Sequence, residues 1–217
     1  MHGGKKIVAL SRNGQMHRIV TDDILIAGEE MPSVDLGLEN TGVSYTEKGI
    51  KVNEYLQTTK KHIYAVGSVN GITTGPEASF GEARLAIHNL FSQKQLAYPF
   101  TTTSRVIYGM PQVATVGVTE ASLKRITKKY QVGIAPIELI GSVRTNDYSG
   151  GFVKIIASSS GIIEGASVVS PNASEVISEL SLAIASGIKA NILTNLPHPF
   201  SSESSAVQIA ASQIKIH

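Results

Sequence analysis

The sequence predicts an α+β fold in which a mostly antiparallel sheet is followed by two helices in the second half of the chain. Two β-branched runs joined through a Ser-Gly turn at 151–170 predict a β-hairpin. Residues 172–187 follow a helical repeat, with Asn172 and Glu175 in a capping-box pattern and Gly187 as a C-terminal stop. These two segments are the strongest evidence for the α+β assignment.

The first third of the chain reads as short strands. Asn13-Gly14 lies between two apolar runs and is a strong hairpin signal, because both residues tolerate positive φ. The apolar runs at 23–28 and 62–67 are continuous, as expected of strands that are buried on both faces. Each of these two runs ends in a glycine.

A helix is expected over 76–91. Gly75 stands at its cap position and Pro76 suits its first turn, because proline lacks only an N–H that a helix start leaves unpaired. Four apolar residues fall on one face at helical spacing, namely Phe80, Ala83, Ile87 and Leu90. The helical repeat stops at 92–104, which is polar and contains Pro99, and this stretch predicts a linker.

Beyond the linker, the apolar pattern predicts a second unit. We expect a strand at 112–118, a helix at 119–130, and strands within 132–140 and 141–148. A last helix is expected from about Ser202 to Ile214.

Composition excludes several classes of protein. The chain has 217 residues with 42% hydrophobic and 17% charged content, which describes a globular protein rather than a disordered one. The net charge of +2 and the scattered basic residues give no support for nucleic-acid binding. No apolar run is long enough to predict a membrane span or a signal peptide. The absence of cysteine excludes disulfides and thiolate metal sites within these residues and fits a cytoplasmic location; we assign no metal ligands.

One candidate for catalysis is the stretch NLPHPFSSESS, residues 195–205. His198 lies between two prolines, and Glu203 follows five residues later. A histidine acts as a general acid or base when a second group fixes its tautomer, and a carboxylate is the usual such group. The alternative is a plain loop that enters a serine-capped helix, with Glu203 favouring the helix dipole. The residues alone leave both interpretations open.

Two further places favour ligand binding. YAVGSVNG, residues 64–71, is an apolar run ending in glycine, and open α/β folds bind nucleotides at the carboxyl ends of such strands. The start of the helix at 76–91 offers free N–H groups to an anionic or electron-rich ligand atom. The alternative for each is ordinary structure, a strand with its turn and a helix with its start.

These places occur together in a familiar order. DILIAGEEMPSVDLGLEN and HIYAVGSV, followed by PQVATVGVTE, GFVKII, SELSLAIASG and PHPFSSES, resemble the C-terminal part of the class I pyridine nucleotide-disulfide oxidoreductases. That family of flavoproteins includes dihydrolipoamide dehydrogenase, glutathione reductase and mercuric reductase. The resemblance covers essentially the whole chain.

The resemblance implies four segments. Residues 1–27 would be the tail of an NAD(P)H-binding domain, and 28–95 the C-terminal segment of an FAD-binding domain. Residues 96–104 would be a linker and 105–217 a dimerisation domain. In this family NAD(P)H reduces FAD, which exchanges electrons with a cysteine pair, and the dimerisation domain lends a histidine to the partner subunit.

Site residues follow from the same resemblance. His198 would be the acid/base for a disulfide or thiol, and Glu203 its orienting carboxylate. Gly28 would lie near the pyridine nucleotide. The residues expected near FAD are Gly67, Ser68, Glu77, Ala78, Ser79 and Phe80.

The sequence also departs from the family pattern. It has no Gly-x-Gly-x-x-Gly loop and no cysteine pair, and Ser68 stands where the family has an aspartate that binds the flavin. We therefore expect the C-terminal part of such an enzyme, inactive alone, retaining neither cofactor and forming a homodimer through 105–217. Its other partner would be the N-terminal half of the enzyme. The alternative is a non-catalytic homodimerising module derived from such an enzyme.

Overall fold

The computed structural model describes residues 4–28, 31–72, 75–126, 129–145 and 150–216. The chain separates into two compact units, Met1–Met31 and Pro32–His217.

The first unit is built around a β-hairpin. Strands β1 (Lys6–Arg12) and β2 (Gln15–Thr21) pair antiparallel over their full length. Asn13 and Gly14 join them with φ values of 53° and 78°, the left-handed backbone that a tight two-residue hairpin turn requires. The predicted hairpin is therefore confirmed.

The apolar run after this hairpin does not form the predicted strand. Residues 23–28 have no regular structure, and Leu25 and Ile26 are 93% and 87% exposed. A strand that is buried on both faces needs neighbours on both sides, and none of the described strands pairs with this segment. The strand prediction is wrong for this chain.

The second unit begins with a region of mostly irregular backbone. Strands β3 (Tyr45–Thr46) and β4 (Gly49–Ile50) form a small antiparallel pair. The strand predicted at 62–67 is reduced to a single bridge between Gln57 and Tyr64. A short 3₁₀ turn follows at Gly67–Asn70. Two small apolar clusters hold this region together, one of Leu38, Val43, Ile50 and Ala65 and the other of Leu56, Ala86 and Tyr98.

Helix α1 (Pro76–Phe91) has the predicted bounds, with Gly75 at its N-cap. Its orientation is the reverse of what its apolar stripe suggests, because Phe80, Ile87 and Leu90 are exposed. The buried residues of the helix are Ala78, Glu82, Ala86 and Asn89. Small and polar residues therefore attach α1 to the rest of the unit, together with Leu85, which packs against the Leu56 cluster. Phe80, Ile87 and Leu90 point away from that contact.

A six-stranded antiparallel sheet forms the second half of the unit, as predicted. Its strands are β5 (Arg105–Ile107), β6 (Gln112–Gly117), β7 (Tyr130–Pro136), β8 (Phe152–Ser158), β9 (Ile163–Ser170) and β10 (Lys215–Ile216). Their spatial order is β10-β7-β8-β9-β6-β5. The predicted hairpin at 151–170 is the β8–β9 pair at the centre of this sheet.

Within the described ranges, five α-helices accompany the sheet, namely α2 (Glu120–Arg125), α3 (Gly141–Thr145), α4 (Ala173–Ala185), α5 (Ala190–Asn195) and α6 (Ser205–Ser212). Helix α4 packs on β6 and β9, and α6 packs on β7 and β8. The helix predicted at 119–130 ends at Arg125. The segment beginning at Gly141, predicted as a strand, is the short helix α3.

The main core lies between the sheet and helices α4 and α6. It includes Val153, Ile155, Val168, Ile177, Leu180, Val207 and Ala210, all at most 1% exposed. Gly133 of β7 permits the close approach of α6, because a Cβ at this position would lie 2.0 Å from the carbonyl oxygen of Ala210. A smaller cluster of Leu123, Tyr130, Val132 and Ile156 forms a second core.

Across the described ranges, none of the helices combines the length and the apolar character that crossing a membrane requires.

Candidate functional site

His198 lies in the loop that links α5 to α6. Its Nδ1 is 2.8 Å from the carbonyl oxygen of Leu196, and its Nε2 is 2.9 Å from Oε1 of Glu179 on α4. Only 4% of the His198 side chain is exposed, against 29% for Glu179. The prolines at 197 and 199 restrict the backbone on both sides of the ring. The loop therefore holds the imidazole turned towards α4.

Glu203, the predicted orienting carboxylate, is bonded elsewhere. It accepts hydrogen bonds from the backbone N–H and the side-chain Nδ2 of Asn172, at 3.2 and 2.8 Å. Asn172 is the N-cap residue of α4, and its side chain makes no capping bond to the helix. In this structure the carboxylate on the His198 ring is thus Glu179, while Glu203 joins the same loop to Asn172 at the start of α4.

Glu179 was not among the residues singled out from the sequence. It lies 19 residues before His198, and nothing in the local pattern distinguishes it from other glutamates on a helix. It lies one helical turn after Glu175 on α4, which is an ordinary spacing for two residues on one face of a helix. Packing of the 196–204 loop against α4 is what brings it to the ring.

The loop itself is fixed by serine hydroxyls. Ser142 Oγ donates to the carbonyl oxygen of Ser201, which has a left-handed backbone with φ 60°. Ser202 Oγ donates to the carbonyl oxygen of Pro199 at 2.9 Å. These bonds satisfy backbone acceptors where the chain turns into α6.

A cavity of about 670 Å³ lies beside this loop. Its lining includes Met110, Ser142, Asn172, Glu175, Glu179 and Glu203. The two carboxylates that could serve His198 thus line one cavity.

The predicted cofactor residues fall in two places. Gly67 has φ 76°, and a Cβ at this position would lie 3.0 Å from Oγ of Ser79. Glycine at 67 thereby lets the 3₁₀ turn approach the first turn of α1. The structure brings Gly67 and Ser79 together, as the prediction of a shared ligand site requires.

A buried carboxylate organises this approach. Glu82 of α1 is 0% exposed, and its Oε2 accepts hydrogen bonds from the Gly67 backbone N–H at 2.6 Å and from Asn70 Nδ2 at 2.8 Å. Charge-assisted hydrogen bonds of this kind are stronger than neutral ones. Glu82 was missed because a glutamate in a helix is usually exposed, and only its burial distinguishes it.

The other predicted cofactor residues differ in their access. Ser68, Glu77 and Phe80 are exposed, so a ligand could contact them. Ala78 is 1% exposed, and its carbonyl oxygen accepts a hydrogen bond from the Tyr98 hydroxyl at 3.2 Å. Ser68, Glu77 and Phe80 are therefore the residues of this set whose side chains are accessible to a ligand.

Gly28 belongs to the first unit, Met1–Met31. A Cβ at Gly28 would meet nothing within 4 Å, so the backbone there is open.

Tyr98 is a second buried titratable group of this region, with 8% of the residue exposed. Burial raises its pKa above the ordinary value, the carboxylates of Glu82 and Glu77 raise it further, and the hydrogen bond with Thr103 opposes them. The phenol therefore stays protonated and donates to Ala78.

Within the part of the chain that the structure describes, no group of three or more His, Cys, Asp or Glu residues could hold a metal ion.

Comparison with protein families identifies one match. Residues 103–210 match the family described as pyridine nucleotide-disulphide oxidoreductase, dimerisation domain. This range contains the whole sheet except β10, together with His198 and Glu203.

Curated relatives match over most of the chain. A dihydrolipoyl dehydrogenase from Buchnera aphidicola subsp. Schizaphis graminum is 36% identical over 188 residues, which are 84% of this chain and 39% of the relative. A mercuric reductase from Staphylococcus aureus is 28% identical, over 97% of this chain and 39% of its own length. The chain therefore spans about two fifths of the length of these relatives.

Solved structures share the fold. LpdA from Mycobacterium tuberculosis superposes with a TM-score of 0.82 at 23% identity, covering 91% of this chain and 44% of that one. The Cu(II) complex of the HOCl-induced flavoprotein disulfide reductase RclA from Escherichia coli gives 0.81 at 22% identity, covering 97% and 48%.

Proposed function

Because this chain belongs to the pyridine nucleotide-disulphide oxidoreductases, with their dimerisation domain at residues 103–210, we propose that it forms part of an FAD-dependent NAD(P)H:disulfide oxidoreductase. In this proposal it supplies the homodimer interface and the acid/base histidine. The match of this domain, extended by relatives along most of the chain, is the observation that carries the proposal. The 217 residues contain neither a cysteine nor a Gly-x-Gly-x-x-Gly loop, so the redox disulfide and the phosphate-binding loops belong to another part of the enzyme.

His198 is the residue proposed to move protons. When a disulfide is opened, one sulfur leaves as a thiolate, and an imidazolium can protonate it through a ring nitrogen. In the reverse direction the neutral ring accepts that proton. Leu196 and Phe200, two residues before and after His198 in the same loop, are 46% and 98% exposed. The loop is therefore accessible to a second subunit.

Glu203 is the proposed orienting carboxylate during this reaction. It lines the same cavity as Glu179, whose Oε1 lies 2.9 Å from the ring. An ionised carboxylate has about four acceptor positions, and the two bonds from Asn172 leave room for another donor. Pairing with Glu203 requires the ring to turn away from Glu179.

FAD, when bound, would carry electrons between NAD(P)H and the disulfide. The residues proposed to face it are Gly67, Ser68, Glu77, Ser79 and Phe80, of which Ser68, Glu77 and Phe80 are exposed. Ala78 would contribute only by keeping the helix start in place, because its side chain is buried. Gly28 is the proposed contact for the pyridine nucleotide.

A second candidate is a homodimerising module without redox chemistry. It is favoured by the absence of cysteine and by the Gly67 N–H, which Glu82 already occupies. Both candidates require the same dimer and differ in whether flavin and a disulfide take part. A cytoplasmic location, which fits the lack of cysteines, stays part of the proposal.

The dimer is tested by light scattering on the chain at micromolar concentration. We expect twice the 23.0 kDa mass of one chain. Phe200→Asp should shift the protein towards the monomer by placing a charge at a fully exposed aromatic position beside His198. Leu25→Asp is the matched control, since Leu25 is also 93% exposed but lies outside 105–217. A monomeric parent chain, or equal effects of the two variants, would contradict the proposed interface.

A further inference from the structure

The His198 ring is held at both nitrogens. Nδ1 lies 2.8 Å from the carbonyl oxygen of Leu196, and Nε2 lies 2.9 Å from Oε1 of Glu179. Both distances are those of good hydrogen bonds. With 4% of the side chain exposed, solvent has little access to either nitrogen.

The chemistry of the two partners decides where the protons are. A carbonyl oxygen can only accept, so Nδ1 must donate to Leu196. An ionised carboxylate can also only accept, so Nε2 must donate to Glu179. An imidazole with protons on both nitrogens is the cationic form. The geometry is therefore that of an imidazolium between a carbonyl dipole and a carboxylate.

The other carboxylates that line the neighbouring cavity do not bond the ring in this structure. The titratable residues that line the neighbouring cavity are Glu175 and Glu179 of α4 and Glu203 of the loop. Glu203 is engaged by Asn172, and Glu175 is exposed one helical turn before Glu179. Of these three carboxylates, Glu179 is the one at hydrogen-bond distance from the ring.

We propose that Glu179 is a positioning residue that holds His198 as a doubly protonated imidazolium in a resting orientation. In this orientation neither ring nitrogen is free, so proton transfer requires the ring to leave Glu179. Glu203, on the wall of the same cavity, is the carboxylate available to the ring after that movement. The catalytic consequence rests on the proposed function, whereas the protonation and the contact are properties of this chain alone.

The test uses the full chain labelled with ¹⁵N-histidine and long-range ¹H–¹⁵N spectra at pH about 7. The chain has six histidines, and the spectrum of His198→Gln assigns the signals of the ring. We expect two protonated ring nitrogens in the wild-type chain. In Glu179→Gln we expect the Nε2 proton to be lost, because the amide can donate to Nε2, while Nδ1 still donates to Leu196.

Two control variants separate the carboxylates. Glu175→Gln removes the neighbouring charge on the same helix, and Glu203→Gln removes the predicted orienting carboxylate. Both should leave two protonated ring nitrogens. The inference is overturned if the wild-type ring is singly protonated, or if Glu203→Gln removes the Nε2 proton and Glu179→Gln does not. The wild-type measurement decides even if a variant fails to fold, and neither result depends on a dimer or on redox activity.

Discussion

The backbone N–H of Gly67 donates to the buried carboxylate of Glu82 across 2.6 Å. This bond joins the 3₁₀ turn to α1 over 15 residues of sequence, and Asn70 Nδ2 adds a second bond to the same oxygen. A buried charge without hydrogen bonds would be strongly unfavourable, so the carboxylate and the turn stabilise each other. Glu82 thus fixes the turn that carries the proposed flavin-facing Gly67 and Ser68 while being fully buried itself.

Removing this carboxylate should destabilise the second unit. Glu82→Ala leaves the Gly67 N–H and the Asn70 amide without this acceptor, and we expect a loss of about 2–4 kcal/mol in the free energy of unfolding. Glu82→Gln keeps one acceptor and should lose less. Urea unfolding at fixed protein concentration measures both, with the exposed Glu77→Ala as the control, expected within about 0.5 kcal/mol of wild type. Similar losses for Glu82→Ala and Glu77→Ala would show that the buried bonds are not important.

Flavin should not co-purify with the chain. The residues predicted to contact FAD include a glycine whose N–H is already bonded and three exposed side chains, while the sequence has no Gly-x-Gly-x-x-Gly phosphate-binding loop. We expect flavin absorbance well below one equivalent per chain, before and after incubation with FAD. A near-stoichiometric yellow protein would contradict this and would favour a complete flavin site within these residues.

The sheet domain was largely predictable from the sequence, whereas the region before it was not. The hairpin at 151–170 and helix α4 each bury their own apolar pattern within the domain, so local periodicity and packing agree. The run at 23–28 and the outward stripe of α1 have the same apolar patterns but no neighbour in the described chain that covers them. An apolar repeat predicts which side chains of an element would be buried. It does not show whether a neighbouring element is present to cover them.

The candidate site was predicted in part for a similar reason. Local signals mark His198 and Gly67: two prolines flank the histidine, and the glycine ends an apolar run. Glu179 contacts His198, 19 residues away, because a loop packs on a helix. Glu82 contacts Gly67, 15 residues away, because a turn packs on a helix. Only the tertiary arrangement distinguishes these glutamates from exposed ones.

Burial of Tyr98 should make the chain sensitive to alkaline pH. Burial raises the pKa of this phenol in the folded state, so the folded protein keeps the proton at a pH where the unfolded chain, with a value of about 10, begins to lose it. The stability that comes from burying the neutral phenol is therefore fully present below the unfolded pKa and is lost as the pH rises through the folded one. Tyr98→Phe should reduce the fall in unfolding free energy between pH about 9 and 11. Tyr108→Phe is the control, because Tyr108 is 71% exposed; an equal effect would contradict the role of burial.

Turnover of a disulfide should depend on His198 when this chain is joined to the redox cysteines and phosphate-binding loops of such an enzyme. His198→Gln should lower NAD(P)H-dependent disulfide reduction by about 10²–10⁴-fold, the usual contribution of general acid–base catalysis. Direct electron transfer from flavin to an artificial one-electron acceptor needs no proton from this ring and should be unchanged. Glu203→Gln should lower disulfide reduction less, by weakening the orientation of the ring, and the exposed Glu175→Gln should have little effect. Equal loss of both activities in His198→Gln would mean that the residue supports flavin binding or folding, and the acid/base assignment would then be wrong.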